Sequence, residues 1–187
     1  RELRIALGDL VRDQDGAPAR RAGSEGELRL GILYLDGIRA PWNVGALFRA
    51  AEAFGIDRVV LGPGCAAPSH PRAQRAAAGT IERLAWEVRE LPDVLANSTF
   101  AADRPAPIFA LETGGRTIEE VVLPVPGIML VGHEELGVSP EALEYAEAGL
   151  GRVSISFPGA KGSLNVSVAA GIALHAWSRQ AQVRMTS

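Results

Sequence analysis

A single cysteine, Cys65, rules out an internal disulfide and leaves a thiolate zinc site without ligands. A reducing, cytoplasmic setting and no bound metal are therefore expected. Basic charge is also lacking. The 19 Lys and Arg are outnumbered by 22 Asp and Glu, the net charge is −3 and the pI is near 5.7. Charge over the whole chain thus gives no sign of a nucleic-acid binder, although a local basic patch is enough for one. No apolar run is long enough to span a membrane. The opening Arg1-Glu2-Leu3-Arg4 has no signal-peptide pattern, and there is no internal repeat.

What remains is an ordinary globular composition, 47% hydrophobic and 22% charged over 187 residues, the size of one domain with a real core. Residues 1–29 read as an N-terminal arm with a polar, glycine-bearing loop, in which Arg20-Arg21 could touch phosphate. Residues 30–187 read as the folded domain. Short apolar runs at 31–35, 58–61, 84–88, 107–111, 127–131 and 153–155 are strand candidates. Between and after them, residues 43–54, 71–78, 92–102, 140–148 and 163–180 have helical spacing, and 117–121 a helical turn. Continuous apolar strands alternating with helices predict an α/β fold, its mostly parallel sheet covered by helices on both faces. Ligands bind such sheets at the carboxyl ends of the strands. Three of these ends run into unusual loops, at 36–43, 132–139 and 156–163.

The third loop joins a strand to a long apolar helix. Pro158, Gly159 and Gly162 keep it non-helical, and Ser163 is the expected N-cap, with Asn165 in the first turn. The helix from Asn43 carries an apolar stripe of Val44, Leu47, Phe48, Ala51 and Phe54. Its other side, Ala46, Ala50 and Ala53 beside Arg49, is short of the usual Lys and Glu. That predicts a second packed surface, such as a homodimer interface. The last helix is apolar almost all round, which predicts burial in the core or in a subunit contact, with His175 a packing residue.

Several motifs fail on their context. Gly62 to Ala67 spells G-x-G-x-x-A after a strand, but Pro68 and Pro71 oppose the helix that a nicotinamide site requires. His133-Glu134-Glu135-Leu136-Gly137 lacks the second histidine of a zinc protease. Neither a P-loop nor a nucleophile elbow is present.

Three segments do resemble a family. Asn43-Val44-Gly45-Ala46-Leu47-Phe48-Arg49-Ala50-Ala51 is similar to an N-x-G-x-x-x-R-x-A stretch. Gly132-His133-Glu134-Glu135-Leu136-Gly137 is similar to a G-N-E-G-x-G loop, with His133 and Glu135 as departures. Ser163-Leu164-Asn165-Val166-Ser167-Val168-Ala169 is close to identical to a third. In this order they resemble the TrmH branch of the SPOUT superfamily, RNA ribose 2′-O-methyltransferases that use S-adenosylmethionine. The resemblance implies a C-terminal deep trefoil knot, a homodimer and a tRNA or rRNA substrate. It implies Arg49, Asn43, Glu134, Ser163 and Asn165 as catalytic residues. Leu111, Gly132, Ile155 and Leu164 would hold the cofactor, largely through backbone groups. Arg39, Arg72, Arg75 and Lys161, in or near the same loops, are the expected RNA contacts. Two rivals stand beside this expectation: an RNA-binding protein of the same fold without turnover, and a nicotinamide-dependent enzyme built on Gly62 to Ala67.

Overall fold

A computed structural model describes residues 28–97, 107–160 and 162–186. Most of the expected arm, and Lys161, lie outside the described residues. Six strands, β1 (Gly31–Asp36), β2 (Arg58–Leu61), β3 (Ala85–Val88), β4 (Ile108–Thr117), β5 (Gly127–Gly132) and β6 (Gly151–Ser154), form one sheet. Its order is β3-β2-β1-β5-β4-β6, and every neighbouring pair is parallel. Five helices accompany the strands: α1 (Pro41–Ala53), α2 (Pro71–Ala77), α3 (Leu91–Asn97), α4 (Pro140–Glu147) and α5 (Val166–Met185).

The apolar strand runs follow from burial on both faces. Leu33 and Leu35 of β1, with Met129 and Val131 of β5, point into a core completed by α1 and α5. Their sequence neighbours Ile32, Tyr34, Ile128 and Leu130 point the other way, into a second core that includes Leu91 and Val94 of α3 and Ala142 and Ala146 of α4. Period-two alternation cannot appear in the hydropathy when both alternating sets are buried.

Three element boundaries differ from the sequence reading. α1 starts at Pro41, two residues early, because proline with its fixed φ suits the first helical position after the extended Ala40. α5 starts at Val166 and is capped by Asn165, not by Ser163. The Asn165 side chain accepts from the backbone N–H groups of Ser167 and Val168, and Ser163 lies outside the helix. β4 runs on to Thr117, rejoining β6 after a register shift between Leu111 and Arg116. The expected turn at 117–121 therefore begins as strand. The helix expected over 92–102 is described only as far as Asn97.

α5 buries Ala170, Ala173, Leu174, Trp177 and Ala181 and leaves a second face open. It is tied to the β4–β5 connection by polar bonds. Trp177 Nε1 donates to the Pro124 carbonyl at 2.8 Å. Gln180 Nε2 donates to the carbonyls of Ile118 and Val121, while its Oε1 accepts from Leu123 N–H.

Candidate active site at the carboxyl ends of the strands

Sheet order brings the three motif segments together. β1 and β5 are neighbours, so the loop leading into α1 and the loop leaving β5 emerge side by side. α5 packs on the same face of the sheet as α1, which places its N-terminus against that of α1.

The loop at 133–139 is held by its own amides. Glu135 and Leu136 N–H donate to His133 Nδ1 at 3.0 and 3.3 Å, and Gly137 N–H donates to the His133 carbonyl at 2.9 Å. Val138 N–H donates to Glu112 Oε2 at 3.0 Å, and Ser139 N–H to Asp36 Oδ2 at 2.7 Å. The loop folds back on the end of β5 so closely that a Cβ on Gly132 would collide with the backbone of Gly137 and Val138. Sequence reasoning did not single out Asp36 or Glu112 as supports. A carboxylate at a strand end usually just meets solvent, so no local signal marked them.

This turn presents Glu134 to the start of α1. Its Oε1 accepts from Ala40 N–H and Asn43 Nδ2, both at 2.9 Å, and its Oε2 accepts from Arg39 N–H at 3.2 Å. Burial alone would push the Glu134 carboxyl up. The donors from Asn43, Ala40 and Arg39 outweigh it and hold the group below its usual range. The chain of bonds continues. Asn165 Nδ2 donates to Asn43 Oδ1 at 3.1 Å, and Asn165 Oδ1 accepts from Ser167 Oγ at 2.7 Å and from the first N–H groups of α5. Both amide orientations follow from chemistry. A carboxylate only accepts, so Asn43 must offer it Nδ2; helix amides only donate, so Asn165 must offer them Oδ1. The result is one directed relay, Glu134–Asn43–Asn165–α5. Asn43 is 2% exposed, whereas Glu134 and Asn165 lie at the surface.

Arg49 lies two turns along α1 on its exposed side, outside the relay. Glu134 therefore fixes Asn43, not Arg49. Ser163 is exposed beside the relay without joining it among the described residues. Arg39 is exposed on the loop before α1. Arg72 and Arg75 are exposed on α2, which packs against α1 so tightly that a Cβ on Gly45 would strike the Ala73 carbonyl. Gly132 ends β5, Ile155 lies just past the end of β6, and Leu111 lies within β4, where its register with β6 shifts; these three strands are adjacent, and Leu164 directly precedes Asn165. Leu111 and Ile155 are half-buried and Leu164 is 39% exposed. Apolar side chains beside strand-end backbone groups suit a flat heteroaromatic ring with a hydrogen-bonding edge, so the set fits an adenosyl group.

Two depressions lie elsewhere. One, of about 550 Å³, runs along the outside of α4 and includes Glu144, Glu147 and Arg152. The other, of about 290 Å³, opens at the ends of β1 and β2 beside Tyr34, Asp36, Pro63, Glu90 and Glu141. Its carboxylates repel a pyrophosphate. The Gly62 to Ala67 segment enters no helix before Pro71, so the nicotinamide alternative lacks its anion site. In the same segment Cys65 donates to the Leu35 carbonyl, and burial pushes its thiol up to about 11. It is not an activated nucleophile. No group of acidic, His or Cys side chains among the described residues could hold a metal, and no described helix is long and apolar enough to cross a membrane.

The chain is similar to several known proteins. The chain is 33% identical over 165 residues to the 23S rRNA (guanosine-2′-O-)-methyltransferase RlmB of Nitrosomonas europaea, covering 83% of the chain and 58% of that protein. Its fold matches the SpoU methyltransferase AviRb from Streptomyces viridochromogenes, solved in complex with the cofactor AdoMet, with a TM-score of 0.72, 25% identity, and coverage of 94% of this chain and 66% of that one. The A. aeolicus TrmH/SpoU tRNA modifying enzyme matches with a TM-score of 0.68 and 25% identity over 83% of this chain and 77% of that one. The chain spans between 25% and 64% of the length of three curated relatives it matches. The SpoU rRNA methylase family itself matches residues 31–175, from the first strand well into the last helix and across all three motif segments, and the chain belongs to that family.

Proposed function

We propose that the protein is an S-adenosylmethionine-dependent RNA methyltransferase that modifies a ribose 2′-OH of tRNA or rRNA. The observation that carries this reading is the relay Glu134–Asn43–Asn165, built from one residue of each motif segment. Bound S-adenosylmethionine supplies a sulfonium methyl group as electrophile. Leu111, Gly132, Ile155 and Leu164 hold its adenosyl part. That assignment is supported by the place of Leu111, Gly132 and Ile155 on or next to three adjacent strands and by the relative solved with the cofactor.

The relay fixes two amides in one orientation, and the second Nδ2 hydrogen of surface-exposed Asn165 can orient an incoming hydroxyl. Ser163, exposed two residues away, offers a further hydroxyl to the ribose. Arg49 acts as a clamp on the neighbouring phosphate. A guanidinium already carries its proton and has no lone pair to accept another, and its fork of donors suits a phosphate. Arg39, Arg72, Arg75 and Lys161 would hold the RNA backbone, contacts that position without reading sequence. Residues 1–29 serve as an arm ahead of the domain, and an RNA substrate goes with a cytoplasmic site of action.

The homodimer interface is proposed on α5 rather than on the alanine face of α1. Ala50 of that face already packs on the core, whereas Val168 and Ile172, one turn apart on α5, are 51% and 41% exposed. Ile172→Glu should turn a dimer into a folded monomer in analytical ultracentrifugation. An unchanged sedimentation coefficient places the interface elsewhere.

The deciding experiment incubates the protein with S-adenosylmethionine and unmodified RNA, digests to nucleosides and looks for 2′-O-methyl products by mass spectrometry. Base methylation would overturn the ribose assignment. Arg49→Ala should lower turnover by roughly 100-fold or more with RNA and cofactor binding largely kept. Equal activity in that variant would remove Arg49 from the catalytic set, whereas RNA binding with no methylation by the native protein would leave an RNA-binding role as the better reading.

A further inference from the structure

We propose that His133 is the positioning residue for Glu134, and that its imidazole works as an acceptor where an amide oxygen would serve. The proposal rests on the functional reading above. Three successive amides, those of Glu135, Leu136 and Gly137, all end on this one residue, two on Nδ1 and one on its carbonyl. Among the described residues nothing else takes the first two. The turn they close is the one that carries Glu134 across to Arg39, Ala40 and Asn43. A nitrogen that accepts two N–H groups carries no proton of its own, so the ring proton must sit on Nε2. That Nε2 is buried and, among the described residues, has no partner. The ring thus keeps an unmatched donor on one side while both loop amides are matched on the other. An arrangement chosen for the ring alone would not look like this. One chosen for the loop would.

The reach of the acceptor is the testable part. In asparagine the Oδ1 stands one bond beyond Cγ, as Nδ1 does in histidine. His133→Asn should therefore keep kcat within about threefold of the native protein. His133→Leu keeps bulk but offers no acceptor, and should lose kcat by about 10–100-fold, the scale of a small misplacement at a site. Affinity for S-adenosylhomocysteine should stay unchanged in both. Should His133→Leu not fold, His133→Gln, with its acceptor one bond too far out, takes its place. A second arm needs no activity. Long-range ¹H–¹⁵N spectra of the native protein at neutral pH should show His133 protonated on Nε2 only. In His133→Asn the Glu135 and Leu136 amides should stay protected from exchange, and in His133→Leu they should not. The proposal is overturned by a proton on Nδ1, by full activity in His133→Leu, by equal loss in His133→Asn, or by lost cofactor affinity with kcat preserved. If no RNA is methylated at all, the functional reading fails and the spectra still decide this one.

Discussion

Glu134 is the residue whose surroundings say most about its role. Three donors converge on its carboxylate, so its folded pKa lies below its unfolded one. As pH falls, the unfolded chain takes up this proton first. The contribution is therefore present through neutral pH, above the free carboxyl value of about 4.3, and is lost as pH falls through the lowered folded value. Thermal melts of the native protein and of Glu134→Gln should differ by a constant amount from pH 8 to about pH 5, and the difference should shrink below that. A gap that widens in acid would contradict this. Asn43, Glu134 and Asn165 were legible in the sequence because each stands in a recognisable segment. The bonds between them were not, since they join residues 91 and 122 positions apart. The cap of α5 went to the wrong side chain for a local reason. Serine and asparagine serve about equally well at an N-cap, and Ser163 and Asn165 are two residues apart.

The elements were easier to foresee than their contacts. Hydropathy located all six strands; β1 and β5, buried on both faces, stay apolar throughout, while β3 at the sheet edge is mostly exposed and carries Glu87. The extension of β4 to Thr117 escaped, since Glu112 to Thr117 carries no apolar run and its pairing is made by the partner β6. The contact between α1 and α2 also left no mark beyond a glycine in a helix. Gly45 sits where α2 leans on α1, with the Ala73 carbonyl and the Ala76 methyl in the way of any side chain. Alanine is the better helix former by about 1 kcal/mol, whereas forcing an extra methyl into a packed contact costs about 1–3 kcal/mol. Overlap with rigid backbone should win. Gly45→Ala is expected to lower stability in urea unfolding by up to about 2 kcal/mol net. A gain in stability would mean that α2 can retreat at little cost.

At the scale of the whole molecule, the strand order and the threading lay furthest from the sequence. Spacing shows that strands and helices alternate; it does not place β5 beside β1 or β6 beyond β4. A knot has no signature in periodicity at all, and here it was expected from resemblance alone. What the residues do show is how much rests on α5. Trp177 is fully buried, meets Phe109 edge to face at 5.2 Å, and holds the Pro124 carbonyl. Trp177→Ala should cost about 3–5 kcal/mol in chemical unfolding, the range for removing a large buried aromatic. A loss below 1 kcal/mol would show that the core face of α5 is dispensable.

The fastening of α5 also sets a timetable for the newborn chain. Translation delivers residues from the N-terminus at about 5–20 per second, so α1 leaves the ribosome on the order of ten seconds before α5. Late in that interval, once β5 and β6 are made, Leu33, Phe48, Met129 and Phe109 have a sheet to belong to but lack the cover of α5. Gln180 and Trp177 arrive last, and they close the connection that has been waiting. A nascent chain that has reached Asn165 but not Trp177 is thus a ready client for a chaperone, and one that has passed Gln180 is not.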